Sequence, residues 1–368
     1  MVVRSKKIRI YPKQSELMGK WFGLSRYWFN KAVDYLKKPG TKASLGEVRK
    51  AIQVVSNHPE WAFDCPQRIR DHAMSDAVKA VKNAKEKCKA GGGFQDVGFR
   101  SRKDPKQVFG FDAQSLHEDF VFSQKVFRSV YHATEPIEAE MEGTRIVKEN
   151  GRYFVVIPTE VPVKVPENQR LSQVAIDPGV RTFITFFSPE LNGEIGNGDF
   201  NKITRLCFGL DKLLSKMAIA KCNQKRNMKK AAQRLRWKIK DLISDLHHKA
   251  ARFLVNTFDT IYLPSFETSR MVPKLSSKTA RMMQTFSHYS FQQFLLAKAE
   301  EYSAKVVVCN EAYTSKTCSF CGKIHKIGSK KVMKCGCGIE VSRDYNGARG
   351  ILLRALAVTP PLETVGNC

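Results

Sequence analysis

Four cysteines near the C-terminus have metal-ligand spacing: Cys318-x2-Cys321, then thirteen residues, then Cys335-x-Cys337. Such pairs supply four thiolates to one tetrahedral Zn²⁺. The second pair is one residue shorter than the usual C-x2-C, and Gly336 and Gly338 are expected to give it the backbone freedom to turn. His325 is a spare ligand. A four-thiolate site leaves no open position, so the expected role of this Zn²⁺ is structural. The other six cysteines (65, 88, 207, 222, 309 and 368) are scattered, which argues against a disulfide framework and for a reducing compartment.

Carboxylates are the second chemical signal. Cutting a phosphodiester with two divalent ions requires several acids converging within a few ångströms, and hard oxygen ligands suit Mg²⁺ or Mn²⁺. Asp177 closes the apolar run Val174-Ala175-Ile176 and precedes Pro178 and Gly179, so it projects from a strand end into a tight turn. Asp344 opens a helix in SRDYNGARGILLRAL. A third acid has two candidates, Glu267 in YLPSFETSRM and Glu311 at the end of AKVVVCN. Each alone is also an ordinary turn, surface or helix-start acid; the constellation is what points to metal chemistry.

The elements that must position these groups follow from periodicity. Residues 3–11 alternate as a half-exposed strand, and Leu17, Trp21, Leu24, Trp28, Ala32 and Leu36 predict a helix over 14–38. A shorter helix is expected over 44–56, and another after Pro66, ending at Gly91–Gly93. Residues 94–165 read as strands (FRSRK, FGFDAQSL, FVFS, FRSVYHA, TRIVKENGRYFVVIPTEV), with a hairpin turn at ENG. VPVKVPENQR, with two prolines, is the expected domain boundary at 161–170. Beyond it come three strands, a helical region over 200–258, the strand TIYLP, a helix over 277–303, the strand AKVVVCN, the cysteines and a helix over 344–357. That is the order of an RNase H-like fold.

Charge names the partner class. With 62 Lys and Arg against 35 Asp and Glu, the net charge is +27, an excess expected for a protein that meets a polyanion. Nine of these cations and no acid fall within 221–240, beside an apolar seam of Leu235, Ile239, Leu242, Leu246, Ala250 and Phe253. This predicts a helical hairpin with one basic face, either lining a nucleic-acid channel or simply solvated. No apolar run is long enough for a membrane span, and the basic N-terminus has no secretory pattern, so an intracellular protein is expected.

Taken together, the motifs resemble the TnpB and Fanzor family of transposon-associated, RNA-guided nucleases. AIDPGVRTFITFFSP resembles the first RuvC motif, YLPSFETSRM with SSKTARMMQTFSHYSFQQFL the second, and EAYTSKTCSFCG, KCGCG and SRDYNGARGILLRAL the zinc ribbon and third motif. KKIRIYP, SRYWFNKAV, IRDHAMSDAVKAVKNAK and FRSRKDPKQ resemble the wedge and recognition regions.

The resemblance implies a mixed α/β and β chain. A β-barrel-like wedge domain (1–13 and 94–165) would carry a helical recognition insertion (14–93). A RuvC domain (171–317 and 338–357) would hold an inserted zinc ribbon (318–337), followed by a tail (358–368). It carries Asp177 and Asp344 over as catalytic acids. Many relatives have a glutamate seven residues before the second-motif Met; counting back from Met271 gives Pro264. Fanzors and some TnpB proteins use a glutamate some 45 residues further on, and Glu311, 47 residues after Pro264, fits that pattern. The expected set is therefore Asp177, Glu311 and Asp344 with two Mg²⁺, with Glu267 the runner-up.

The implied partners are a guide RNA and double-stranded target DNA, with a short flanking motif read beside the target. Arg4, Lys6, Lys7, Tyr27 and Asn30 are candidate contacts to RNA or that motif, and Arg181 to a phosphate. A monomer is expected, in the nucleus of a eukaryotic or viral host cell or in a prokaryotic cytoplasm. A catalytically weakened RNA-guided repressor and a transposase or RNA-independent nuclease are the alternatives.

Overall fold

The computed structural model describes residues 1–54, 57–91, 93, 95–116, 131–137, 142–166, 169–264, 277–309, 314, 316–325 and 330–358. The chain divides into two compact units, Val3–Val161 and Pro162–Cys368.

In the first unit, strand β1 (Val2–Pro12) leads into helix α1 (Ser15–Leu36), followed by α2 (Leu45–Ile52) and α3 (Gln67–Lys89). The predicted apolar stripe of α1 is buried from Trp21 to Leu36. Its first half packs Met18, Trp21, Phe22 and Leu24 against sheet residues Ile8, Ile10, Phe109, Ile146 and Val155. Its second half packs Trp28, Phe29, Ala32 and Val33 against Ala73, Met74 and Ala77 of α3. Helix α2 is shorter than 44–56: Ser44 caps it by accepting from the Glu47 N–H, and it ends at Ile52.

Strands β2 (Lys106–Gly110), β3 (Tyr131–Ala133), β4 (Arg145–Glu149) and β5 (Arg152–Val161) join β1 in a sheet of order β2-β4-β5-β1-β3. The ENG turn forms as expected: Glu149 pairs with Arg152 across Asn150 (φ 44°) and Gly151 (φ 81°). Two expectations change. FRSRK is not a strand, and among the described residues the edge strands β2 and β3 do not pair, so no closed barrel is formed. FVFS lies outside the described residues.

The second unit is built on β6 (Leu171–Pro178), β7 (Ile184–Phe187), β8 (Asn192–Ile195), β9 (Phe258–Pro264) and β10 (Lys305–Cys309), in the order β10-β9-β6-β7-β8. Strand β9 runs parallel to both β6 and β10, while β6-β7 and β7-β8 are antiparallel. The helical stretch over 200–258 is two helices, α4 (Asp199–Ile219) and α5 (Cys222–Thr257). The stretch over 277–303 is also two, α6 (Ser277–Phe286) and α7 (His288–Glu301), because Ser287 takes a left-handed conformation between them.

Because side chains alternate across a strand, Val174 and Ile176 face the core shared with α5 and α7, whereas Ala175 faces α8 (Arg343–Val358) through Ile351, Leu352 and Ala355. Asp177, two residues after Ala175, falls on the α8 face. All nine cations of 221–240 are exposed, eight on α5 and Lys221 just before it, while Ile239, Leu246 and Ala250 are buried. No helix among the described residues is long and apolar enough to cross a membrane.

Candidate functional site

Asp177 is the next-to-last residue of β6, paired in register with Thr185, and its carboxylate lies directly on the backbone of α8. A Cβ built on Gly347 would stand 2.3 Å from Asp177 Oδ2, so only glycine admits the carboxylate at this depth. Asp344 is in the first turn of the same helix, three positions earlier and therefore on the same face as Gly347. The Asp177 carboxylate thus rests on the face of α8 that also bears Asp344. Glu311 and Glu267 lie outside the described residues.

The turn after Asp177 is pinned from beneath. Gly179 donates its N–H to the Phe183 carbonyl at 3.1 Å, and a side chain there would meet the Thr182 carbonyl oxygen at 2.6 Å. The Gly179 carbonyl in turn accepts from His288 Nε2 at 3.0 Å. The Phe183 ring stacks on His288 at 5.1 Å and on His247 at 5.2 Å.

Burial pushes the His288 imidazole down from 6.5 to about 4, so it stays neutral and donates to Gly179. An unfolded chain takes up a proton that the folded one refuses, so this contribution is fully present above pH 6.5 and is lost as pH falls towards 4. The expected loss is on the order of 3 kcal/mol. Thermal melts between pH 7 and 4 should show it, and His288→Gln should flatten the profile; identical profiles would contradict the assignment.

The cysteine cluster fits one metal ion. Cys318 Sγ lies 3.9 Å from Cys337 Sγ and Cys321 Sγ 3.5 Å from Cys335 Sγ, with all four sulfurs within 4.8 Å of one another. Tetrahedral thiolates around Zn²⁺ at 2.3 Å stand about 3.8 Å apart. Burial pushes the Cys318 thiol up, but backbone bonds to Phe320 and Cys321 and side-chain bonds to Cys321 and Cys335 outweigh it and bring it to about 7, favouring the thiolate. His325 Nε2 is 3.2 Å from Cys335 Sγ. The freedom expected at Gly336 resides instead at Gly322 (φ 77°) and Gly338 (φ 90°), which follow each pair. Strands β11 (Val332–Lys334) and β12 (Glu340–Ser342) form the hairpin of this knuckle, and β12 runs into α8 without a linker.

Four residues that sequence reasoning passed over tie these parts together: His288, Asn346, Gly347 and Arg349. All lie inside quoted motifs, but nothing in their types alone announces a role.

In the first unit, Asn30 is committed to the fold, bonding the Arg100 carbonyl at 2.9 Å and its N–H at 2.8 Å. Lys7 pairs with Glu149 at 2.8 Å, Lys6 with Glu135 at 3.4 Å, and Arg4 Nη1 bonds the Val3 carbonyl. The Tyr27 hydroxyl meets His58 Nδ1 at 2.8 Å. Lys20, Arg26, Tyr27 and Trp61 nonetheless help line a cavity of about 370 Å³, with Trp61 half exposed. His72, Asp112 and Glu142 also cluster, but Arg68 sits 2.8 Å from Asp112 and neutralises it. In the second unit, Arg181 is exposed.

Comparison with known proteins bears on both ends of the chain. Residues 288–351, from α7 through the knuckle into α8, match the family described as Cas12f1-like, TNB domain. Residues 1–39, here β1 and α1, match the IS605 OrfB helix-turn-helix domain. The putative transposase R186 of Acanthamoeba polyphaga mimivirus is 35% identical over 215 residues, spanning 56% of this chain but only 44% of that relative. TnpB-like protein L770 of the same virus is 24% identical across 95% of this chain and 73% of its own length. A putative RNA-guided DNA endonuclease of Streptomyces pristinaespiralis is 24% identical across 97% of this chain and 90% of its own. Matches at the knuckle, at the N-terminal strand and helix, and along nearly the whole length support the TnpB/Fanzor-like family for this chain.

Proposed function

We propose that this protein is an RNA-guided DNA endonuclease that takes a transposon-encoded guide RNA, reads a short motif beside its target, and cuts with RuvC-type chemistry. The observation that carries the reading is the Asp177 carboxylate lodged against Gly347, on the face of α8 that also bears Asp344. The Streptomyces relative, described as a putative RNA-guided DNA endonuclease, and the net charge of +27 support it.

In this reading the first unit is the wedge with its recognition helices, the second the RuvC domain, and the cysteine hairpin a zinc ribbon. Pairing with the guide selects the target, while protein cations track phosphates. The exposed basic face of α5 is suited to hold a backbone, and Trp61 beside Lys20 and Arg26 to receive a base. Asp177, Asp344 and Glu311 would hold the catalytic ions, and the Gly179 turn keeps Asp177 in place. Two Mg²⁺ bound there would polarise the scissile phosphate and a water. The protein acts as a monomer, in a nucleus or a prokaryotic cytoplasm according to its host.

Purification after coexpression with the native flanking DNA, followed by sequencing of bound RNA and a cleavage assay on a matched target with a randomised flank, tests the whole. A discrete RNA and EDTA-sensitive cutting are expected; absence of RNA would end the guided reading. Glu311→Ala is expected to abolish cutting with RNA retained, and Glu267→Ala to leave it. The reverse pattern would move the third acid to Glu267. One observation favours a repressor instead: buried Pro264 ends β9 where many relatives have the glutamate. Target binding without cutting would establish it.

A further inference from the structure

Asn346 has no exposed surface, and its amide is spent entirely on the strand of chain entering the knuckle. Its Oδ1 accepts from the Ser319 N–H at 2.9 Å, and its Nδ2 donates to the Thr317 carbonyl at 2.8 Å and the Thr314 carbonyl at 3.5 Å. Arg349, three residues on, donates to the Ser319 carbonyl and lies 4.1 Å over the Phe320 ring. Gly350 lets the Thr314 carbonyl within 3.2 Å of where a Cβ would be. One side of α8 thus grips the strap that delivers Cys318 and Cys321, while the Gly347 side of the same turns holds Asp177.

A second tether exists at the other end of the knuckle, where the Arg343 N–H donates to the Lys331 carbonyl at 2.8 Å. The first turn of α8, with Asp344, is therefore fixed by the knuckle from both sides.

We propose that Asn346 is a positioning residue through which the cysteine knuckle sets the placement of the acids, so that nuclease metal binding depends on a group that touches neither metal. The inference rests on the nuclease reading above. An asparagine suits the task because it offers an acceptor and two donors in one plane, matching an N–H and two carbonyls. Alanine removes the Asn346 bonds from one buried and two half-buried backbone groups. The strap and α8 can then slide, and ligands displaced by a fraction of an ångström bind metal less well.

The test uses the full chain purified with its RNA. Asn346→Ala is compared with wild type for zinc per chain, target binding, Mn²⁺ binding by electron paramagnetic resonance, and cleavage against Mg²⁺ concentration. The expected result is unchanged zinc and target binding, with Mn²⁺ affinity and the Mg²⁺ requirement each worsened about ten-fold or more. Should that variant fail to fold, Arg349→Ala, which loosens only the neighbouring strap contact, is expected to give the same shift in smaller degree. Wild-type Mn²⁺ affinity in the folded variants, or loss of zinc alongside activity, would overturn the proposal. A wild-type protein that neither binds Mn²⁺ nor cuts would overturn the nuclease reading itself, and this inference with it.

Discussion

Asp177→Ala is expected to lower single-turnover cleavage of a matched target by about 10³-fold or more, corresponding to roughly 4 kcal/mol of lost transition-state stabilisation. RNA and target binding should persist, because the residue lies at a strand end and its removal leaves no unfilled core. Gly347→Ala should approach the same loss by a different route. The new methyl would occupy the place of Asp177 Oδ2, 2.3 Å away, and must push the carboxylate off the helix. Gly347 is not among the glycines at positive φ, so its substitution reports this collision rather than backbone strain. Full-rate cutting by Asp177→Ala would remove that residue from the site. Full-rate cutting by Gly347→Ala alone would show that the carboxylate works from another position.

The second large effect is expected at the knuckle. Among the described residues its core is only Cys318, Met333 and Cys335 with Val341 packed beside them, and its strands are three residues each. So little apolar burial cannot hold the hairpin, whereas a structural Zn²⁺ contributes an apparent 10–16 kcal/mol or so in small zinc modules. Cys335→Ser, or a strong chelator, should release zinc to a colorimetric reporter. Proteolysis within 318–342 should accelerate by orders of magnitude, and cutting should cease. A chelated protein with unaltered protease resistance would mean the hairpin stands without metal.

Much of this was legible in the residues. The 3.6-residue stripe of α1, the Asn150-Gly151 turn and the cysteine pairs each carry a local physical signature, and each appears where periodicity or spacing puts it. A helical hairpin was legible in this region, but the point where α4 gives way to α5 was not, because no Pro or Gly stands at Ala220–Lys221. The break at Ser287 likewise has no composition cue. Asp177 and Asp344 could be named as separate acids, but what unites them is Gly347, whose reason is the depth of a carboxylate from a strand some 170 positions earlier in the chain. Asn30 shows the opposite failure: a polar residue beside basic ones looked free for a ligand, and the fold uses both ends of its amide.

The direct passage of β12 into α8 also has a consequence for how the second unit is made. During synthesis all five strands of the second unit's main sheet emerge before the knuckle, and α8 follows it. Until then the side of the sheet bearing Ala175 and Tyr262 lacks the helix that covers it. A ribosome-bound intermediate would hold the exposed cations of α5 folded and its apolar sheet bare, a species prone to sticking to its neighbours. For the proposed zinc ribbon, metal supply at that moment would govern yield as well as activity: a cell short of zinc would lose the protein to aggregation before any question of catalysis arose.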